Sequence, residues 1–145
     1  MTAKEMQQEA AVYLSRYRTA KAEVKDIEQR IKTCRAEMLG VKGISYENGD
    51  MPKAPSHTSD LSDYIVRLDA LLTDWQAAQR RALDTMCEIS AAINGVTDDN
   101  ARRVLMLHYV DGMTFDQVAA AIPCGINSVY RWRRIGLREI KVGSK

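Results

Sequence analysis

The sequence predicts an all-α protein. Of its 145 residues, 46% are hydrophobic and 28% are charged, while only eight are glycine and three are proline. Plentiful Ala, Leu, Arg, Lys, Glu and Gln favour helices over strands. Apolar residues also recur every three or four positions along two long stretches, which is the period of a helix. Both observations predict helices joined by loops.

The first long helix is predicted from about Ala3 to Leu39. Its apolar and small residues recur in steps of mostly four and three, and mostly charged or amide residues stand between them. Such a narrow apolar seam is typical of helices that pack as in a coiled coil. The seam consists of Met6, Ala10, Tyr13, Tyr17, Ala20, Val24, Ile27, Ile31, Cys34 and Met38.

Residues 40–59 are predicted to form a long mobile loop, because they hold three of the eight glycines and two of the three prolines. A second long helix is predicted from near Ser59 to about Ile93, with Thr58 or Ser59 as its N-cap. Asn94-Gly95 ends it. Its seam consists of Leu61, Ile65, Leu68, Leu72, Trp75, Gln79, Ala82, Met86, Ile89 and Ile93.

The two long helices cannot bury their seams alone. Each would be about 50 Å long at roughly 35 residues. We therefore predict that residues 1–95 form a long, coiled-coil-like antiparallel hairpin, closed by the loop at about 40–59. A parallel homodimer is also allowed, and the heptad pattern by itself does not decide between the two arrangements.

Residues 96–145 predict a second, smaller domain of three helices. Thr97 or Asp98 can cap a helix over about 99–110, and Gly112 can supply the positive φ that ends it. Thr114 then caps a short helix, and Pro123–Gly125 separates this helix from a last one over about 126–140. A short helix, a tight turn and a longer helix are typical of the helix-turn-helix motif. The residues predicted to be buried are Phe115, Val118, Ala119 and Ile122 on the short helix, and Val129, Trp132, Gly136, Leu137 and Ile140 on the last.

Positive charge is concentrated in this smaller domain. Residues 101–145 hold eight basic and three acidic residues, a net +5, which leaves −3 for residues 1–100. On the last helix, Asn127 and Arg131 lie off the buried stripe and have the geometry to read adenine and guanine in the major groove. Other residues there suit phosphates, namely Ser128, Tyr130, Arg133, Arg134 and Arg138. These seven residues predict a double-stranded DNA partner.

The stretch RRVLMLHYVDGMTFDQVAAAIPCGINSVYRWRRIGLREI resembles the fourth conserved region of bacterial sigma factors. The matching residues are Arg103-Val104-Leu105, Leu107, Tyr109, Gly112-Met113-Thr114, Val118-Ala119, Ile122, Val129, Arg131 and Leu137. The whole chain is similar to the ArpU-like family of phage and prophage regulators. This resemblance implies a transcription regulator of phage or prophage (late) genes that binds promoters and contacts RNA polymerase.

Two features depart from the sigma pattern. Gly125 stands where the recognition helix usually begins with Ser, which weakens the cap by a few tenths of a kcal/mol. Ile126 and Asn127 replace residues that are commonly charged in sigma factors. The hexamer preference of sigma factors therefore does not carry over to this chain.

No constellation in the sequence predicts an enzyme, a metal site or a cofactor. His57 lies in the predicted loop beside Ser56, Thr58 and Asp60, and neighbours in a flexible loop cannot hold the geometry of a catalytic triad. The three cysteines form no CxxC pair, and His108 is predicted to be packed on a helix rather than to bind a metal. We expect a cytoplasmic protein, because the sequence shows neither a secretory leader nor a membrane-spanning run.

Two other functions fit the same pattern. Small terminase subunits of phages, which are DNA-packaging adaptors, also join a helix-turn-helix to a helical oligomerisation hairpin. Alternatively, the protein is a protein-binding module whose long hairpin binds RNA polymerase or a sigma factor, and the basic helix contributes little to its function. Assembly into a ring would favour the adaptor, and DNA affinity that falls with salt would separate both DNA binders from the protein-binding module.

Overall fold

A computed structural model describes the backbone of residues 2–47 and 54–142, and the side chains of residues 2–40 and 61–142. The described residues are almost wholly helical and include no strand, which confirms the all-α class. Among them, no helix is long and apolar enough to span a membrane. The elements are α1 (Ala3–Leu14), α2 (Arg16–Glu47), α3 (Ala54–Asn94), α4 (Asp99–Leu105), a π-helical turn (Met106–Val110), α5 (Phe115–Ala121) and α6 (Ile126–Glu139).

The chain divides into two compact units. The first unit consists of Met1–Lys21 together with Arg81–Lys145, and the second consists of Ala22–Arg80. The boundary that the sequence predicted near residue 95 lies inside the first unit. The N-terminal helix is therefore grouped with the C-terminal helices, although residues 22–80 separate them along the sequence.

Two apolar clusters hold the first unit together. In the larger one, Leu14 of α1 packs with Ile89 and Ile93 of α3 and Leu105 of α4, and all four side chains are completely buried. Burial of one such side chain stabilises the folded state by about 1.5–3 kcal/mol. The smaller cluster joins α4, α5 and α6 through Val104, Val118, Ile122 and Val129. The half-buried Trp132 packs against both clusters, as its position on the predicted buried stripe requires.

Gly136 allows α4 and α6 to approach each other closely. A Cβ atom added to it would lie only 2.7 Å from Leu105 Cδ1 and 3.4 Å from the Cβ of Ala101. Real Cβ atoms essentially never approach a neighbour as closely as the first of these distances. The sequence placed Gly136 on the buried face of the last helix, and in the structure any larger residue there would require the buried Leu105 side chain or the helices themselves to shift.

The first long helix is not continuous, which corrects the prediction of one helix over about 3–39. The helix is interrupted at Ser15, whose hydroxyl donates a hydrogen bond to the carbonyl of Ala11 at 2.7 Å. A serine that bonds back to the preceding turn in this way competes with the backbone and often bends a helix. The seam is otherwise confirmed at Ala10, Tyr13, Val24, Ile27, Ile31 and Cys34, which are buried, and wrong at Met6, which is 54% exposed.

The predicted loop at 40–59 was too long at both ends. Helix α2 continues to Glu47, and α3 begins at Ala54. Gly40 lies within α2, where glycine is unfavourable by only about 1 kcal/mol relative to alanine. Pro55 falls in the first turn of α3, where its missing N–H has no helical partner to lose. The centre of the predicted loop, residues 48–53, lies outside the described residues.

Within the second unit, α2 packs against α3. The Trp75 indole N–H donates to Glu28 Oε2 at 3.1 Å, and Cys34 Sγ lies 3.7 Å from the Tyr64 carbonyl oxygen. Later residues of α2 thus meet earlier residues of α3, as in antiparallel packing. On α3 the sequence placed Gln79 in the seam, whereas Gln79 is exposed and its neighbour Ala78 is completely buried. The small alanine permits close contact without placing an amide group inside.

Candidate nucleic-acid interface

Local sequence signals position α5 and α6. Asp98 caps α4 by accepting the Ala101 N–H at 2.9 Å, and Gly112 ends the preceding helical segment with a φ of 78°. Thr114 and Gln117 form a capping box at the start of α5, because each side chain accepts the backbone N–H of the other residue, at 3.2 and 2.9 Å. These caps confirm the predicted helix starts. They fix the direction in which the chain enters α5.

Helix α6 begins at Ile126, with Gly125 as an N-cap that makes no side-chain hydrogen bond. Gly125 thus occupies the predicted cap position without a side-chain acceptor, and the energetic weakness of the cap stays a prediction. Val129, Gly136 and Leu137 are buried, so one face of α6 is turned towards the core of the first unit. This orientation decides which side chains of the helix reach solvent.

All seven residues predicted to contact DNA lie on α6, but they do not share one environment. Five are exposed: Asn127, Tyr130, Arg131, Arg134 and Arg138. Ser128 and Arg133 are half-buried. The Arg131 guanidinium carbon lies 5.9 Å from the Trp132 ring centre, and the Tyr130 ring meets Phe115 edge-on at 5.1 Å.

Four of the exposed residues form one stripe. Asn127, Arg131, Arg134 and Arg138 are separated by steps of four, three and four, so they follow a single line along the helix surface. The stripe is about 16 Å long, given the rise of 1.5 Å per residue. It carries three permanent positive charges, because arginine does not lose its proton in proteins.

Arg133 is held away from this stripe. Its Nε donates to the Tyr109 hydroxyl at 3.1 Å, and its guanidinium carbon lies 5.5 Å from the centre of the Phe115 ring. The sequence argument grouped Arg133 with the phosphate-contacting residues of the last helix. The structure places it beside the π-helical turn and the start of α5, and its contact with a phosphate stays a prediction.

His108 lies at the centre of this neighbouring region. Its Nδ1 lies 2.7 Å from the carbonyl oxygen of Met113, and its ring stacks on Phe115 at 4.0 Å between ring centres. Because a carbonyl can only accept, Nδ1 carries the proton and donates it. The other nitrogen, Nε2, lies 3.5 Å from Arg18 Nη2 and is therefore the acceptor of that contact.

The surroundings favour the neutral form of His108. Burial lowers the pKa of its imidazole below the ordinary value of 6.5, and the positive charges of Arg18 and Arg133 lower it further. The hydrogen bond to the Met113 carbonyl acts in the opposite direction. His108 is thus a packed, hydrogen-bonded histidine, as the sequence predicted.

Sequence reasoning missed Arg18. It lies 90 positions from His108, and nothing in the local pattern of α2 distinguishes it from the other charged residues between the seam positions. Only the packing of the N-terminal segment in the first unit brings the two side chains together.

The sequence pattern of the family DUF1492, described as "Protein of unknown function (DUF1492)", matches residues 57–141, which is more than half of the chain. The chain belongs to the DUF1492 family. No curated protein and no solved structure matches it. The DUF1492 region spans most of α3 and all of α4, α5 and α6, so it contains the arginine stripe. Arg18 lies outside it.

The part of the chain that the structure describes contains no group of three or more His, Cys, Asp or Glu side chains that could hold a metal ion. The cysteines are free thiols, with Cys34 buried, Cys124 half-buried and Cys87 exposed. Nothing in the sequence assigns a catalytic role to Ser56, His57, Thr58 and Asp60. Their side chains lie outside the described side chains.

Proposed function

We propose that this DUF1492 protein is a sequence-specific regulator of transcription that binds double-stranded DNA. In this proposal α5, the connection 122–125 and α6 form a helix-turn-helix of sigma region 4 type, and α6 enters the major groove. One observation carries the proposal. The solvent-facing stripe of α6 holds an amide and three arginines, directly opposite the face that is buried.

The position of each residue along the stripe suggests its role. Asn127 and Arg131 lie in the N-terminal part of α6, which is the part of a recognition helix that usually reaches base edges. Asn127 would pair with adenine and Arg131 with guanine, since each offers two matched hydrogen bonds in the major groove. Arg134 and Arg138 would contact phosphates, together with Ser128 and Tyr130.

The remaining parts of the proposal rest on the resemblance to sigma region 4 and to ArpU-like regulators. We infer that the protein acts in the cytoplasm on phage or prophage genes and that it contacts RNA polymerase. The antiparallel contacts between α2 and α3 support a coiled-coil-like hairpin, which would provide a surface for that contact or for a homodimer. No catalytic residue and no cofactor is assigned.

The deciding experiment is selection of bound sequences from a random duplex library with the full-length protein, with its mass in solution measured alongside. Enrichment of a short motif by a monomer or dimer supports the regulator. Weak enrichment by a protein that assembles into a large ring would instead favour a DNA-packaging adaptor. Absence of DNA binding at low salt would leave the protein-binding module as the better function.

A salt titration on the selected duplex tests the electrostatic part of the proposal. Binding through several arginines releases counterions, so the logarithm of affinity should fall linearly as the logarithm of salt concentration rises. Replacement of Arg138 should reduce this slope by about 1. The exposed Arg30 of α2, in the second unit, provides a control with the same change of charge, and Arg30→Ala should leave the slope unchanged.

A further inference from the structure

A second cationic feature lies in the first unit, outside the arginine stripe. It is a pocket of about 520 Å³ between the junction of α1 and α2, the π-helical turn and the start of α5. Three arginines line it, Arg16, Arg18 and Arg133, together with His108. All of its lining residues are described ones, and they include no aspartate or glutamate.

The charges of the pocket are not equivalent. Arg16 is paired with Glu88 at 2.7 Å, so its charge is balanced at the rim. Arg18 and Arg133 both face His108, and both oppose protonation of its ring. The exposed Arg18 and the half-buried Arg133 thus give the lining of this concave site an electropositive character around His108. An anion in the pocket would relieve the repulsion between these like charges.

The donor set matches an oxyanion. A guanidinium has five N–H donors in a planar fork, and the contact with Tyr109 uses only the Nε donor of Arg133. The Thr19 hydroxyl and the Gln8 amide also line the pocket and can donate. Arginine forks bind phosphate oxygens in a bidentate manner, which makes these bonds both strong and directional.

We propose that this pocket binds a phosphate group, held mainly by Arg18 and Arg133. The phosphate belongs either to the backbone of a bound duplex or to a free phosphorylated compound. The first source would extend the proposed DNA interface, because Phe115 lines the pocket and also touches Tyr130 on the exposed face of α6. Phosphate binding by the pocket does not depend on the proposed DNA binding, since it rests on the charged side chains that line the pocket.

The test titrates the full-length protein with inorganic phosphate at constant ionic strength, maintained with sodium chloride. Wild type should bind phosphate, and Arg18→Gln should bind it about tenfold more weakly or worse, because one charge-assisted hydrogen bond is lost. Arg30→Gln makes the same charge change on an exposed part of α2 in the second unit. It should bind phosphate like wild type. Circular dichroism confirms that each variant is folded.

Two results would overturn the proposal that the pocket binds phosphate. One is the absence of phosphate binding by wild type, and the other is an equal loss of phosphate affinity in Arg18→Gln and Arg30→Gln. Repeating the comparison with a duplex identifies the source of the phosphate. Weaker duplex binding by Arg18→Gln assigns the site to the DNA backbone, and unchanged duplex binding assigns it to a free phosphorylated compound. Failure of the DNA proposal remains distinguishable, because Arg131→Ala should alter duplex binding without altering phosphate binding.

Discussion

Replacing Gly136 with alanine tests the packing that orients α6. The added methyl group would lie 2.7 Å from Leu105 Cδ1 and 3.1 Å from Leu105 Cγ. Non-bonded carbon atoms prefer about 3.5–4.0 Å, so the shorter contact is too close by about 1 Å. Leu105 is completely buried and cannot move aside into solvent. Overpacking of this kind typically costs about 1–3 kcal/mol.

The same substitution also has a favourable effect, which a matched control can isolate. Alanine stabilises a helix interior by about 0.8–1 kcal/mol relative to glycine. Gly136→Ala should therefore change the free energy of unfolding by between about zero and a loss of about 2 kcal/mol. Gly40 also lies in a helix, but a Cβ added to it would meet nothing within 4 Å. Gly40→Ala should show the gain alone, about 1 kcal/mol.

Urea unfolding followed by circular dichroism measures both variants against wild type. The difference between them should be about 1–3 kcal/mol, which is the overpacking cost by itself. Gly136→Ala should in addition weaken DNA binding, since any shift of α6 relative to α4 that relieves the contact displaces the arginine stripe. If Gly136→Ala stabilises the protein as much as Gly40→Ala does, the crossing of α4 and α6 is looser than the structure indicates and the reasoning is wrong.

Three further predictions concern single side chains. Arg131→Ala should cost about 1–3 kcal/mol of binding free energy on the selected site and relax the preference at one base pair. Arg138→Ala should weaken binding to all duplexes alike. Binding assays on specific and random DNA check this, and equal losses of affinity for both variants on both kinds of DNA would contradict the assigned roles. Trp132→Ala should lower the free energy of unfolding by about 3–5 kcal/mol, because the ring packs against both clusters of the first unit; an unchanged melting curve would refute this. Since folding lowers the pKa of His108, the unfolded chain binds more protons near that pKa, so the contribution of His108 is present above about pH 6.5 and is lost as the pH falls through the folded value. As the pH is lowered through this range, the urea midpoint of wild type should decrease, and that of His108→Gln should decrease less. Identical pH profiles would contradict a lowered pKa of His108 in the folded protein.

The local features of the first unit could be read from the sequence. Asp98, Thr114 and Gly112 act where they were expected to act, because capping and positive φ depend on a few neighbouring residues. The buried face of α6 was equally predictable, since the helical period places Val129 and Leu137 on one side whatever the helix packs against. The exposure of Asn127 and Arg131 follows from the same geometry.

Other features were decided only by the tertiary structure. A periodic seam shows that a helix must pack but not on what, so grouping α1 with the C-terminal helices was not predictable from the pattern. The burial of Ala78 in place of Gln79 depends on packing contacts that periodicity does not encode. The pocket beside His108 is the clearest case. Arg18 and His108 are 90 positions apart, and only the folded chain brings their side chains together.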